Sequence, residues 1–268
     1  MSGVVLKQAK KAGIRCRIAH CHSSNQDKNL FYPIKLIFKQ LIPKYATDLF
    51  ACGESSGKWM FGKNADFIVL KNAIDSKKYI YDCEKRSLAR NELNIKENCL
   101  VVGLVARFSK VKNHIFLVDV FESLLQKHSN SLLVLVGQGE CQENIKKIVK
   151  EKHIENNVIF LGLRSDVDFV LQALDFFVMP SLYEGLPLSV IEAQASGTKT
   201  FISDNVPQDC IVTDLVKQIK LSQSSEKWAD SILSEYPYNK ENTKKDIEKN
   251  GFDITENALY LQRFYLEK

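Results

Sequence analysis

Short apolar runs alternate along the chain with longer segments that are apolar on one side only. Short runs bounded by polar turns are typical of buried strands, and they lie at 14–22, 48–52, 67–70, 100–106, 131–136, 157–161, 176–179 and 200–203. Segments with helical spacing of apolar residues lie between them, at 4–12, 33–43, 54–61, 84–93, 113–127, 140–150, 165–174 and 188–196. This alternation of strand and helix predicts an α/β fold class with parallel sheets.

The same pattern predicts how the chain divides into domains. A polar turn at 71–75 indicates a junction, so that 1–71 forms one α/β domain and 72–250 a second domain with a cleaner strand–helix series. Such a series is consistent with a doubly wound sheet. Residues 251–268 are expected to form a separate final helix.

Three further expectations concern the chain from residue 113 onward. Asn113 and Ser165 stand where they would cap the helices that they begin. Residues 218–250 are rich in Lys, Glu and Ser and show little periodicity. The final helix is expected at 253–266. Its predicted apolar face consists of Ile254, Ala258, Leu261 and Tyr265.

Composition narrows the class of protein. With 45% hydrophobic and 26% charged residues among 268, the chain is an ordinary globular sequence. Seven scattered cysteines favour reduced thiols in a cytoplasmic protein. Residues 1–48 carry nine Lys or Arg against two Asp, which suggests an anionic surface or partner. No nucleic-acid-binding motif accompanies this charge.

The strongest chemical signal lies at 180–197, where an apolar run leads through a turn into a helix. Glu184 and Glu192 flank this turn with seven residues between them. Pro187 suits the first helical position and Gly197 the residue after the helix, where positive φ is common. A strand end that leads into a helix N-terminus favours anions, and carboxylates accept hydrogen bonds from hydroxyls. The segment therefore predicts a site for a ligand with both phosphates and hydroxyls.

Two other strand ends add candidate residues to that edge of the sheet. Arg107 and Lys112 follow the strand at 100–106, and together they suit a diphosphate, although a charged surface loop is the alternative. Gly137-Gln138-Gly139 resembles part of a dinucleotide fingerprint, but Gln142 replaces its third glycine. A tight turn that lines a nucleotide pocket is the alternative for these glycines.

In the first domain, His20 and His22 lie at the end of a strand. One of them is a candidate functional residue, and the alternative is that both are purely structural. Cys16, Cys21 and His22 lack a second cluster, so a zinc site is disfavoured. The helix at 33–43 is expected to cover a sheet, with contact to anionic lipid through Lys35, Lys39 and Lys44 as a secondary role.

In order along the chain, several of these segments resemble the retaining family 4 glycosyltransferases of GT-B architecture, which have two Rossmann-like domains with parallel sheets. In that architecture the final helix, 251–268, would cross back and pack on the N-terminal domain. The two glutamates resemble the E-x7-E motif of that family, and the likeness is closest to enzymes of capsular and exopolysaccharide synthesis. The segments that carry the resemblance are Gly103 to Arg107 with Lys112, Val136 to Gly139, Phe160 to Gly162, and Pro180 to Gly197.

The resemblance implies roles for residues of the donor site. Arg107 and Lys112 would neutralise the diphosphate of a nucleotide sugar, with a UDP-sugar favoured over a GDP-sugar by the family likeness. Glu184 would hold hydroxyls of the sugar, and Glu192 would bind the ribose. Other donor contacts would come from Gly137, Gly139, Gly185, Leu186, Pro187 and Leu188.

The resemblance also implies the reaction. A hexosyl group would pass with retention to a glycan or lipid-linked acceptor at the inner membrane face, without a metal or other cofactor. His22, with His20 as second choice, would lie near the reacting centre. The alternatives are an inactive remnant that binds only nucleotide or a partner and, more weakly, a sugar-nucleotide epimerase, against which the Arg107, Lys112 and glutamate set argues.

The sequence departs from the family pattern at three places. Ala73 replaces a glycine usual at the junction, and Lys199 stands where a proline is usual. The chain also opens within what would be a helix midway through the N-terminal domain, so this domain is expected to be incomplete. Because a parallel sheet normally has both faces covered, we expect an exposed sheet edge and a less stable N-terminal domain.

Overall fold

A computed structural model describes residues 2–22 and 32–268, apart from the side chains of Tyr32, Pro33 and Lys35. The chain divides into two compact units. Unit 1 contains the described residues up to Ala73 together with Ile254–Lys268, and unit 2 is Ile74–Asp253. The predicted junction after residue 71 lies two residues before the division between the units.

Unit 1 begins with three helix–strand repeats. Its elements are α1 (Ser2–Lys11), β1 (Ile18–Cys21), α2 (Tyr32–Tyr45), β2 (Asp48–Ala51), α3 (Glu54–Phe61) and β3 (Ile68–Val69). Within the described residues the strands form one parallel sheet in the order β1-β2-β3. Its buried apolar cluster is small and consists of Leu6, Cys21, Ile42, Ala51 and Phe61.

Strand β1 begins four residues later than the expected 14–22 strand because the segment before it folds around Arg17. The Arg17 guanidinium donates hydrogen bonds to the carbonyl oxygens of Ile14, Arg15 and Tyr45. These bonds hold the approach to the sheet in a non-extended path, so the apolar residue Ile14 is exposed rather than paired in a strand.

Unit 2, all of which is described, contains most of the core. Its elements are α4 (Ser76–Tyr79), α5 (Cys83–Glu92), β4 (Leu100–Val105), α6 (His114–Lys127), β5 (Ser131–Val136), α7 (Gln142–Glu151), β6 (Val158–Gly162), α8 (Val167–Ala173), β7 (Phe176–Met179), α9 (Leu188–Ala195), β8 (Lys199–Ser203), β9 (Val216–Ile219), α10 (Ser225–Leu233) and α11 (Lys244–Lys249). The six strands pair in parallel in the order β6-β5-β4-β7-β8-β9.

The strand order reverses beside β4. From β4 the chain builds outward through β5 and β6, and it then returns to the other side of β4 to place β7, β8 and β9. In open parallel sheets such a reversal leaves a crevice at the carboxyl ends of the two central strands. In unit 2 this crevice lies between the loops that follow β4 and β7.

Two expectations for unit 2 were wrong at helix starts. Ser165 does not cap α8, which begins after Asp166, the partner of the Arg164 guanidinium at 2.6 Å. Asn113 precedes α6 but its side chain accepts no capping hydrogen bond. Its amide instead donates to the carbonyl oxygen of Pro180, across the crevice, at 3.1 Å.

The segment 218–250 is more regular than its composition suggested, since it contains the end of β9 as well as α10 and α11. Trp228 and Ile232 in α10 are fully buried, as is Ile247 in α11. The many Lys, Glu and Ser residues occupy the outer faces of these helices and obscured the few buried positions in the sequence.

The final helix, α12 (Ile254–Leu266), belongs to unit 1. The Phe264 ring meets the Phe50 ring edge-on at 5.0 Å, and the Asn257 amide donates to the carbonyl oxygen of Lys71 at 2.8 Å. The predicted apolar face was therefore wrong, because Ile254 and Tyr265 are 45% and 58% exposed. A hydrogen-bonding amide and an aromatic ring, rather than the aliphatic spacing, determine which face packs.

Candidate functional site

The loop at 106–113, after β4, is joined by backbone hydrogen bonds to the turn after β5. Phe108 N donates to Gln138 O at 3.0 Å, and Cys141 N donates to Phe108 O at 2.9 Å. Because these bonds involve the main chain, they fix the path of the loop whatever its side chains are.

The glycines of this turn are required by that close approach. A Cβ on Gly137 would lie 2.1 Å from the carbonyl oxygen of Ala106, and one on Gly139 would lie 2.4 Å from that of Phe108. Gly137 also has φ +135°, which residues with a Cβ rarely adopt. Packing of one strand-end loop on another therefore explains both glycines without a bound ligand.

On its other side the 106–113 loop is joined to the loop after β7. Leu182 N donates to Val111 O at 2.8 Å, beside the bond from Asn113 to Pro180. The Lys112 ammonium then donates to a carboxylate oxygen of Glu184 at 2.7 Å. The structure thus brings together two predicted site residues that are far apart in the sequence.

The Lys112–Glu184 pair lies in the crevice and is largely shielded from water. The two side chains are 21% and 10% exposed. The direct attraction between two charges is stronger in such surroundings than at the surface, while loss of solvation offsets much of it. The ammonium can donate to an anion, and the carboxylate can accept hydrogen bonds from hydroxyls.

Glu192 lies on α9 and makes a contact that the sequence did not predict. The Tyr79 hydroxyl donates to its carboxylate at 2.9 Å. Burial, followed by the nearby carboxylate of Asp168, raises the pKa of Glu192, while the hydrogen bond from Tyr79 opposes this rise. Tyr79 was not found from sequence because it precedes the strand series and carries no motif.

The turn between the two glutamates leads directly into α9. Gly185 is exposed, Pro187 is buried, and Leu186 and Leu188 are half-buried. Pro187 is the N-cap rather than the first helical residue. The expectation for Gly197 is confirmed, since its φ is +65° and a Cβ there would lie 2.3 Å from the carbonyl oxygen of Glu241.

Arg107 is placed differently from Lys112. Its side chain is 73% exposed and donates to Glu140, itself 58% exposed, at 3.0 Å. Surface pairs of this kind contribute about 0–1 kcal/mol. The Arg107 guanidinium can therefore exchange Glu140 for another anion at low cost, but the structure does not join it to Lys112 or Glu184.

A largely apolar pocket of about 440 Å³ opens beside Arg107. Its walls come from the ends of β4, β5 and β6 and from the start of α8. The residues that the sequence analysis did not single out are Leu163, Arg164 and Val167. They follow β6, whose carboxyl end lies at the same edge of the sheet as those of β4 and β5. In a parallel sheet all strand ends share this edge, so the sequence could have identified these residues by that rule.

In unit 1, His20 and His22 lie together at the end of β1. Their ring centroids are 4.1 Å apart, and the His22 Nδ1 atom lies 2.9 Å from the Asn72 side-chain oxygen. Partial burial, followed by the neighbouring His22, lowers the pKa of His20. The His22 ring is thus tied to the last residues of the first segment of unit 1.

The described residues contain neither a membrane-spanning helix nor a cluster of metal ligands. Along 2–22 and 32–268, no helix combines the length and apolar character needed to cross a bilayer. The same residues contain no group of three or more His, Cys, Asp or Glu side chains placed to share a metal ion.

The two parallel sheets, the crevice at the strand reversal and the paired Lys112 and Glu184 define an α/β protein of GT-B type. HepE of Anabaena, solved in complex with UDP and glucose, superimposes with a TM-score of 0.81 over 100% of this chain and 75% of its own, at 18% identity. The glycosyl transferases group 1 family matches residues 85–253. The chain belongs to this family, which confirms the resemblance found in the sequence.

Two relatives give further comparisons. EpsF of Bacillus subtilis, named as a glycosyltransferase, is 30% identical over 98% of this chain and 72% of its own length. An Escherichia coli enzyme is 26% identical over 76% of this chain and 55% of its own length. It is named UDP-Gal:alpha-D-GlcNAc-diphosphoundecaprenol alpha-1,3-galactosyltransferase.

Proposed function

We propose that the protein transfers a hexosyl group from a UDP-sugar to a glycan or lipid-linked acceptor, with retention of anomeric configuration and without a metal. The observation that carries the proposal is the contact between Lys112 and Glu184 at the strand reversal of a family member. It places a group that binds anions beside a group that binds hydroxyls, as a nucleotide sugar requires.

The donor would extend along the edge of the sheet of unit 2. Its base would occupy the apolar pocket beside Arg107, and its ribose would donate to Glu192. The diphosphate would be met by Lys112, by Arg107 after exchange from Glu140, and by the amides at the start of α9. The sugar hydroxyls would donate to Glu184.

In the proposed reaction an acceptor hydroxyl attacks the anomeric carbon on the face that the diphosphate leaves. A new glycosidic C–O bond forms as the bond to the diphosphate breaks, and the acceptor proton passes to the departing phosphate oxygen. Lys112 and Arg107 stabilise the negative charge on that leaving group. His22, with His20 as second choice, is proposed to contact the acceptor.

We further propose a lipid-linked acceptor in the assembly of a capsular or exopolysaccharide, at the inner membrane face. Support comes from the undecaprenol diphosphate in the name of the Escherichia coli relative and from the basic character of residues 1–48. Cationic side chains near an anionic lipid surface contribute about 1 kcal/mol each.

Calorimetry with UDP tests the donor site. Lys112→Ala and Glu192→Ala should each weaken binding by about 10- to 100-fold, because hydrogen bonds to charged groups contribute about 1.5–3 kcal/mol. Lys110→Ala, an exposed lysine of the same loop, is the control and should change affinity less than threefold. Unchanged affinity in both site variants would refute the donor site.

Incubation with a panel of UDP-sugars and polyprenyl-diphosphate glycan acceptors tests the transfer itself. Release of UDP coupled to a glycosylated product of retained configuration is expected. Binding of UDP with neither transfer nor donor hydrolysis would overturn the proposed reaction and indicate a protein that only binds the nucleotide.

A further inference from the structure

Glu192, a predicted site residue, forms a hydrogen bond with Tyr79, which the sequence did not predict as part of the site. Tyr79 ends the short helix α4, at the beginning of unit 2, whereas Glu192 lies in the middle of α9. Both side chains are half-buried, and the hydroxyl lies 2.9 Å from Oε1 of the carboxylate. A carboxylate has two oxygens, so this contact leaves Oε2 for a ligand.

The main chain at Tyr79 is held in place by α8. The side-chain amide of Gln172, which is fully buried, donates to the carbonyl oxygens of Tyr79 and Ile80 at 3.3 and 3.2 Å. Its own oxygen accepts from Asp82 N at 3.1 Å. One buried glutamine therefore fixes the segment from which the tyrosine ring extends.

The other end of α4 is also held within unit 2. Ile74 N donates to Phe252 O at 2.9 Å, and the Ser76 hydroxyl donates to a carboxylate oxygen of Asp253 at 2.5 Å. Because α4 is bonded at both ends, the hydroxyl of Tyr79 meets Glu192 from a fixed base. This is the geometry expected of a residue that orients another one.

We propose that Tyr79 is a positioning residue of the nucleotide site, whose hydroxyl holds one carboxylate oxygen of Glu192 so that the other is presented to a ribose hydroxyl. The inference rests on the proposed function, because it assumes that Glu192 meets the ribose. Tyr79 does not itself touch the donor in this arrangement. Its contribution passes through the orientation and the charge of Glu192.

The charges around Glu192 agree with this role for Tyr79. Among the described residues, the ionisable groups that influence the Glu192 carboxylate are Tyr79 on α4 and Asp168 on α8. Burial and the carboxylate of Glu192 raise the pKa of Tyr79, so its hydroxyl remains a donor at neutral pH. The hydrogen bond from Tyr79 favours ionised Glu192, whereas burial and Asp168 oppose ionisation.

The test compares UDP with 2′,3′-dideoxy-UDP, which lacks both ribose hydroxyls, on the whole chain and on Tyr79→Phe. UDP should bind the variant about 3- to 10-fold more weakly, since a net hydrogen bond contributes about 0.5–1.5 kcal/mol. The dideoxy nucleotide should bind both proteins equally. Tyr81→Phe is the matched control, because the ring of Tyr81, rather than its hydroxyl, makes the described contact with Lys240.

A pH series adds a readout that a packing role would not change. Without the Tyr79 hydrogen bond the pKa of Glu192 rises further, so its carboxylate becomes protonated at a higher pH. As the pH is lowered, the UDP affinity of Tyr79→Phe should therefore begin to fall at a higher pH than that of the unsubstituted chain. In a Glu192→Ala background, Tyr79→Phe should cause no additional loss.

The outcomes distinguish failure of the proposed donor site from failure of the proposed role of Tyr79. If the unsubstituted chain does not bind UDP, both the donor site and the role of Tyr79 are refuted. If it binds UDP but Tyr79→Phe binds equally well, the role of Tyr79 alone is refuted. An equal loss for UDP and the dideoxy nucleotide would show that Tyr79 supports the fold rather than the ribose contact.

Discussion

Replacing Glu184 with glutamine should separate binding of the nucleotide from binding of the sugar. In the free protein the Lys112 ammonium is engaged by the Glu184 carboxylate at 2.7 Å. At the proposed site, a donor diphosphate would have to share this lysine with the carboxylate and would lie close to its negative charge. Glu184→Gln removes that charge while keeping the size of the side chain.

The structure sets the scale of the effect. At 2.7 Å and an effective dielectric constant of about 20, the attraction between two unit charges is roughly 6 kcal/mol. Loss of solvation offsets most of this attraction, because the side chains are 21% and 10% exposed. A net strength of about 1–3 kcal/mol therefore remains, between the values for surface pairs and buried pairs.

We expect Glu184→Gln to bind UDP about 3- to 10-fold more tightly, which corresponds to about 1 kcal/mol released from the pair. Turnover of a UDP-sugar should fall by about 10- to 100-fold, because the sugar loses a charged hydrogen-bond acceptor worth about 1.5–3 kcal/mol. Calorimetry gives the first quantity and UDP release the second. Glu140→Gln, which removes the exposed partner of Arg107, is the control and should alter UDP affinity by less than threefold.

The opposite result for UDP would refute this reasoning. If Glu184→Gln weakened UDP binding as much as Lys112→Ala does, the carboxylate would be orienting the lysine rather than competing with the diphosphate. Unchanged turnover with a UDP-sugar would remove Glu184 from the sugar site.

Two further predictions concern the fold. Gly139→Ala should lower the free energy of unfolding by about 2–4 kcal/mol, because its Cβ would lie 2.4 Å from the Phe108 carbonyl oxygen; thermal unfolding measures this loss, and an unchanged midpoint would contradict the tight packing of the two loops. Amide hydrogen exchange should be faster in β1 than in β4, because the core of unit 1 is small. Equal protection of residues 1–70 and 99–204 would contradict the expected low stability of the N-terminal domain.

The central strands of unit 2 were predicted closely because they are buried on both faces. Strands β5 and β7 have the predicted limits, since an uninterrupted apolar run in a parallel sheet is bounded by polar loops on both sides. The meeting of Lys112 with Glu184 followed from the same rule, because the carboxyl ends of parallel strands share one edge. The match of residues 85–253 to the family agrees with the motifs found there.

Contacts that depend on side-chain direction were not predictable in this way. The pairing of Tyr79 with Glu192 joins a short helix outside the strand series to a motif residue, and no periodicity connects them. The pairing of Arg107 with Glu140 depends on the rotamers of two exposed side chains. Which face of α12 packs is set by the contacts of Asn257 with Lys71 and of Phe264 with Phe50, rather than by the spacing of its aliphatic residues.

The attachment of the 106–113 loop on both sides has a consequence for the variation of this site among related proteins. Backbone atoms of Phe108 and Val111 make the bonds to the neighbouring loops, so they do not depend on the side chains at these positions. Arg107 and Ser109 can therefore change without altering the course of the chain. If the proposed donor site is correct, a frame of this kind would let its donor preference change through single substitutions, while the glycines that allow the loops to meet would stay.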